Sequence, residues 1–256
     1  LVVSKIVLYL HSKLKVMQTE NVIESKVVNP LSNDFSKKKS KAKKFLQQNR
    51  IKEEIAESGL LSGIVPSLAY ECDQEEILKS LNHNFKFLMI DNDVVTYKKM
   101  VNIALEKFPD NPPCFHLGNL SEIIFNAKEN DFTHCLFDYC KGFEKHRNEV
   151  VHTLQNKIVV VGGLVFFTFC LRNPSHEHTA FVNEMTGYSN PKMKLVSIKT
   201  YTDVRKARLI EEAATLQAYR TFLLGEIGNE RCWRIKEIET YRDGAPMALI
   251  ILKRVK

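Results

Sequence analysis

The segment FKFLMIDND, Phe85 to Asp93, constrains this chain most. A short, mostly apolar run ends in two acids, Asp91 and Asp93. Val94 to Phe108 then carries apolar residues at helical spacing, with Pro109 after them. A strand that runs straight into an amphipathic helix is one half of a parallel β-α-β unit. In such a sheet, an acid at the carboxyl end of a strand lies at the mouth of the ligand crevice, where it can accept hydrogen bonds from the two hydroxyls of a ribose. The segment therefore predicts a binder of a nucleoside-bearing small molecule, with Asp91, beside Asn92, as the ligand. Asp93 reads as the cap of the following helix.

The rest of the chain repeats the alternation. Gly63 to Ala69 reads as a strand and loop, Asp73 to Leu81 as a helix with a capping box closed by Glu76, and Pro113 to Leu117 as a strand ending in Gly118 and Asn119. A short helix is expected from Ser121, a strand over Thr133 to Asp138, a helix over Glu144 to Val160 and a buried strand over Leu164 to Leu171. Residues 173–203 read as a polar insertion, and Lys206 to Leu224 as a long helix. Trp233 to Arg242 and Pro246 to Lys253 read as strands joined by the hairpin turn Asp243-Gly244-Ala245. Alternation at this pace implies a mostly parallel sheet with helices on both faces. The final hairpin forces its two strands to be antiparallel to each other.

At 256 residues the chain suits one large domain with an extension. Residues 1–49 read as a basic, partly helical extension, with a helix expected from about Asp34, and residues 50–256 as the domain. Lys and Arg outnumber Asp and Glu 37 to 30, for a formal net charge of +7, and the excess is concentrated in SKKKSKAKK, Ser36 to Lys44. Lysines in the first turns of a helix oppose its dipole, so helix stability does not explain Lys37, Lys38, Lys39, Lys41, Lys43 and Lys44. They read as contacts to an anionic partner, nucleic acid first. The six cysteines form no CxxC pair, and several lie in apolar runs. The reading is a reducing intracellular compartment, cytoplasm or nucleus, without disulfides or a zinc site. The first residues, VVSKIVLYL, are too short and too interrupted to span a bilayer, and no membrane association is expected. His176 and His178 lack a third nearby ligand and read as exposed loop histidines.

This order of elements resembles the class I, Rossmann-like S-adenosylmethionine-dependent methyltransferases over about residues 50–256. The resemblance implies a seven-stranded, mostly parallel sheet with a C-terminal antiparallel hairpin. It implies S-adenosylmethionine as cofactor, with Ser67, Leu68 and Ala69 in the first cofactor loop and Asp91 and Asn92 at the ribose. Gly118, Asn119 and Leu120 flank the adenine, and Asp138 and Cys140 lie beside the transferring methyl. Asp138 and Tyr139 become the catalytic candidates, and the insertion after the fifth strand faces the acceptor. The chain departs from the family in having no glycine between Gly63 and Gly118, where the family's loop is glycine-rich. Asp138-Tyr139-Cys140-Lys141 is also not the Asn-Pro-Pro-Tyr pattern of DNA-base amine methylation, so RNA is favoured over DNA. The alternative is a non-catalytic nucleic-acid-binding or assembly protein on a degenerate form of the same fold. A dinucleotide enzyme is disfavoured, because no GxGxxG is present.

Overall fold

A computed structural model describes residues 41–60, 62–67, 84–110, 112–139, 141–172, 175–187, 201–243 and 245–256. The chain divides into residues 1–39, which lie outside the described residues, and residues 40–256. The helix expected over Asp73 to Leu81 also falls outside them. The described elements run α1 (Lys41–Ser58), β1 (Ser62–Ser67), β2 (Asn84–Asp91), α2 (Val94–Lys107), β3 (Cys114–Leu117), α3 (Leu120–Asn126) and β4 (Cys135–Asp138). A 3-10 turn (Phe143–His146) then leads into α4 (Arg147–Gln155), followed by β5 (Leu164–Cys170), α5 (His176–Thr186), α6 (Tyr201–Glu230), β6 (Trp233–Asp243) and β7 (Ala245–Arg254).

The seven strands form one sheet in the order β3-β2-β1-β4-β5-β7-β6. The first five pair in parallel. β7 runs antiparallel to β5 and to β6, with Asp243 opposite Ala245 at the hairpin. This is the methyltransferase-like α/β fold that the resemblance implied.

Helices cover both faces, so the central strands are buried on both sides and read as unbroken apolar runs. In β5, Val165, Phe167 and Phe169 join one core with Phe143, Leu154 and Tyr219, while Leu164 and Phe166 join the other with Ile51, Met89 and Met100. α1 packs Ile51 and Ile55 into the second core. Its buried Glu54 pairs with Arg50 at 3.1 Å and with Lys236 of β6. No helix among the described residues is long and apolar enough to cross a membrane.

Two expectations change. The helix expected over Glu144 to Val160 is a 3-10 turn followed by α4, which ends at Gln155. Lys157 takes φ 50°, and Val159 then bridges Phe132 in parallel, so the final apolar residues continue as extended chain. The stretch read as a polar insertion contains α5. Its N-cap Ser175 accepts a hydrogen bond from His178 N at 3.1 Å, and Gly187 closes it at φ 63°. His178 is consequently no loop histidine. It is 3% exposed, with Nδ1 3.0 Å from Glu144 Oε2 and Nε2 3.1 Å from Thr215 Oγ1. His176 is exposed.

Candidate functional site

Strand order reverses between β1 and β4, because β2 and β3 lie to one side of β1 and β4 and β5 to the other. Ligand crevices in open α/β sheets form at such a point, outside the carboxyl ends of the strands. β1 and β4 share one ladder position, Ser67 with Leu136. Ser67 is also level with Met89 of β2. Asp91 and Asp138 therefore each lie two residues beyond Ser67, one on either flank of the switch point.

Asp91 ends β2 half-buried. Its Oδ1 accepts from Asp93 N at 2.8 Å, and its carbonyl accepts from Gly118 N at 3.0 Å, which ties the ends of β2 and β3 together. Burial pushes its carboxyl pKa up. The negative charge of Asp93 adds to that rise, and the backbone N–H bonds from Asp93 and Asn92 oppose it. Asp93 is the cap of α2 that its position predicts, accepting from Val95 N at 3.0 Å and Thr96 N at 2.9 Å. Those bonds, led by the one from Thr96, hold its carboxyl below the usual range.

Around the β3 end a polar chain continues. Asn92 Nδ2 donates to Asn119 Oδ1 at 2.9 Å, and Asn119 Nδ2 reaches Glu122 Oε1 at 3.4 Å. The Asn119 amide is thus engaged by its neighbours. A Cβ on Gly118 would come within 2.5 Å of His116 Nε2, so the chain passes close over that ring. Leu120 is buried at the start of α3.

On the other flank, Thr168 Oγ1 donates to Asp138 Oδ1. Tyr139 points to the opposite face, as the next residue of an extended chain does. It is 5% exposed, and its hydroxyl is buried without a hydrogen bond. Burial, reinforced by the charge of Glu149, raises the phenol well above its ordinary pKa. The ring stacks on Phe169 at 5.3 Å and, closer, on His146 at 3.8 Å with an interplanar angle of 19°. His146 Nδ1 lies 3.8 Å from Glu149 Oε1, ion-pair reach rather than a hydrogen bond. Ser121 Oγ donates to the same oxygen at 3.0 Å. Although burial alone would raise the Glu149 carboxyl, His146, a backbone N–H and Ser121 together bring it below its usual value.

The structure thus brings Ser67, Asp91, Asn92, Gly118, Asn119, Leu120, Asp138 and Tyr139 to one edge of the sheet. Leu68, Ala69, Cys140 and Lys37 to Lys39 lie outside the described residues. So do the side chains of Lys41, Lys43 and Lys44, although their backbone belongs to α1. Sequence reasoning singled out neither His146 nor Glu149, which lie beside Tyr139 here. The available signal was position, two titratable residues soon after a strand-end acid. Their meeting depends on how the 3-10 turn folds back over Tyr139.

No family model matches the chain, and no curated protein matches it. Among solved structures, magnesium protoporphyrin IX methyltransferase from Synechocystis PCC 6803 with bound SAM is similar at TM-score 0.48 and 11% identity, over 83% of this chain and 79% of that one. An rRNA methylase from Streptococcus thermophilus gives TM-score 0.43 at 12% identity, over 81% and 95%. TrmN from Thermus thermophilus gives TM-score 0.47 at 10% identity, over 83% of this chain and 49% of that one. At these values the likeness is one of chain course and assigns no residue a role.

Proposed function

We propose that this chain is an S-adenosylmethionine-dependent methyltransferase whose acceptor is a nucleic acid, RNA in preference to DNA. The observation that carries the reading is Asp91, a half-buried carboxyl two residues past the switch-point level of the sheet. Burial disfavours its ionised form, and hydroxyl donors from a ribose would offset that cost. The residues present fit such a group. Asp91 keeps part of its surface open to hydroxyl donors, and Gly118 keeps the β3 end low over His116.

The cofactor's sulfonium supplies an already activated methyl, so the protein's task is alignment and charge placement. In this reading Asp91 and Asn92 orient the ribose, and the Gly118 to Leu120 backbone borders the adenine. Leu68 and Ala69 are the further cofactor-loop residues that the family resemblance implies. Asp138 and Cys140 border the methyl, with Asp138 held by Thr168 so that its carboxylate keeps one orientation. The buried Tyr139 ring is a wall of the acceptor side. Lys37, Lys38, Lys39, Lys41, Lys43 and Lys44 supply phosphate contacts, which give salt-sensitive affinity without base readout.

Calorimetric titration of the full chain with S-adenosylmethionine and S-adenosylhomocysteine tests the reading. Saturable binding that Asp91→Ala removes supports it. No binding at millimolar ligand by folded protein would transfer the function to the alternative, a nucleic-acid-binding or assembly protein on this fold. Replacing Lys37, Lys38 and Lys39 by Ala should weaken RNA binding and flatten its salt dependence while leaving cofactor affinity alone. An unchanged slope would remove the phosphate-contact role.

A further inference from the structure

Three observations converge on His146. Its ring lies flat on Tyr139 at 3.8 Å, and Tyr139 directly follows the strand-end acid Asp138. Its Nδ1 faces the Glu149 carboxylate, whose Oε1 is fixed from the other side by Ser121 Oγ at 3.0 Å. The side chain keeps 21% of its surface exposed, whereas the ring beneath it is buried. α3 and α4 follow β3 and β4 in a parallel sheet, so their first turns, with Ser121 and Glu149, lie at the same carboxyl edge as Asp91 and Asp138. The residues on either side of His146 are tied to α5, the helix that follows β5. Lys145 pairs with Glu177, and Arg147 pairs with Glu184 at 3.4 Å while its guanidinium sits over the Phe222 ring at 4.9 Å. An imidazole with an aromatic floor, a carboxylate behind one nitrogen and an open edge is built to receive a proton at its other nitrogen.

We propose that His146, backed by Glu149, is the general base that takes the proton of the RNA nucleophile during methyl transfer. The inference rests on the methyltransferase reading. The acceptor's O–H or N–H lone pair forms the new bond to the methyl carbon, and the methyl–sulfur bond breaks with its electron pair left on sulfur as a thioether. The acceptor proton passes to His146 Nε2. The positive charge lost from sulfur reappears on the imidazole, facing Glu149. Glu149 is a positioning residue, since it acts through the histidine. The unbonded Tyr139 hydroxyl leaves the floor free of competing bonds to the imidazole.

The test uses the full chain, labelled S-adenosylmethionine, and bulk tRNA and rRNA as acceptors, over a range of pH. His146→Ala should lower turnover by about 10²-fold or more, the usual contribution of a general base. S-adenosylhomocysteine affinity should stay within about twofold by the same scale. Added imidazole should restore part of the rate, which a merely structural role for the ring would not allow. Glu149→Gln should lower turnover less, by about tenfold, and displace the acid limb of the rate profile. Wild-type turnover and pH profile in His146→Ala would overturn the assignment. So would failure of imidazole to rescue a folded, cofactor-binding variant. Cofactor binding by the wild type without methylation of either RNA would overturn it while leaving the methyltransferase reading in place. Absence of S-adenosylhomocysteine binding to the wild type would instead remove the reading itself, and this inference with it.

Discussion

At the amino ends of β1, β4 and β5 the polar groups are matched to one another by hydrogen bonds, whereas at the carboxyl ends a buried hydroxyl and two histidine nitrogens lack them. The amino end is organised by Arg254, which is 3% exposed. Its guanidinium donates to Asn130 Oδ1 at 2.8 Å, to the carbonyls of Lys157 and Val159 at 2.7 and 2.6 Å, to Glu129 at 2.6 Å and to the Lys256 carbonyl at 2.7 Å. Beside it, His134 Nδ1 accepts from Leu164 N at 3.1 Å, and its Nε2 lies 3.3 Å from the Leu60 carbonyl. Gly63, at φ 134°, lets Thr133 pass so closely that a Cβ would fall 1.6 Å from its Oγ1. At the other end, Tyr139 Oη is buried without a hydrogen bond, His116 Nε2 and His146 Nδ1 reach only the carboxylates of Glu122 at 3.5 Å and Glu149 at 3.8 Å, and Asp91 is half-buried. Buried polar atoms are nearly always satisfied, so each loosely satisfied group at this end costs stability.

The comparison predicts that substitutions at the two ends separate cleanly into losses of stability and losses of binding. The largest effect belongs to Arg254→Met. It strips the partner from several buried acceptors and should cost about 3–5 kcal/mol in urea unfolding. A loss below about 1 kcal/mol would show that the amino end is not sealed by this residue. Gly63→Ala comes next, at about 3 kcal/mol, from a backbone region closed to L-residues and the collision with Thr133. Its S-adenosylhomocysteine affinity, measured at a temperature where the variant is folded, should be that of the wild type.

At the open end the sign reverses. Asp91→Asn should weaken S-adenosylhomocysteine binding by at least about 30-fold, the value of a charge-assisted bond converted to affinity. Equal binding by wild type and variant in calorimetry would break the comparison. The smallest effect is on stability. The folded Asp91 carboxyl titrates above its unfolded value, so its protonation stabilises the fold fully below the unfolded pKa. That contribution is lost as pH rises through the folded pKa, where the wild type carries a desolvated carboxylate and the asparagine variant does not. Asp91→Asn should therefore be relatively more stable near pH 7 than near pH 3, by less than about 1 kcal/mol. A variant less stable than wild type at neutral pH would show that the carboxylate is structural.

Much of this was legible one segment at a time. FKFLMIDND gave both the strand and the cap of α2, because alternation, apolar run length and an Asp at the N-cap are local signals. The final hairpin was legible for the same reason, with Asp-Gly-Ala between two runs of strand-forming residues. α5 was not. Its stretch is polar, and the helix stands because Phe181 and His178 find partners on the 3-10 turn and on α6. The end of α4 was misplaced because Ile158 and Val159 fit a helical pattern as well as the extended one that Phe132 selects.

The sequence by itself determined the alternation of strands and helices, the acid at the end of β2 and the antiparallel finish. Each depends on residues within a few positions of one another. Only the tertiary structure decided that β1 and β4 lie side by side, which puts Asp91 and Asp138 on either flank of the switch point. It alone joined Ser121 to Glu149 across 28 residues and Arg254 to Glu129 across 125 residues. Such meetings depend on long-range strand pairing and on two cores closing together, and no window of sequence carries that information.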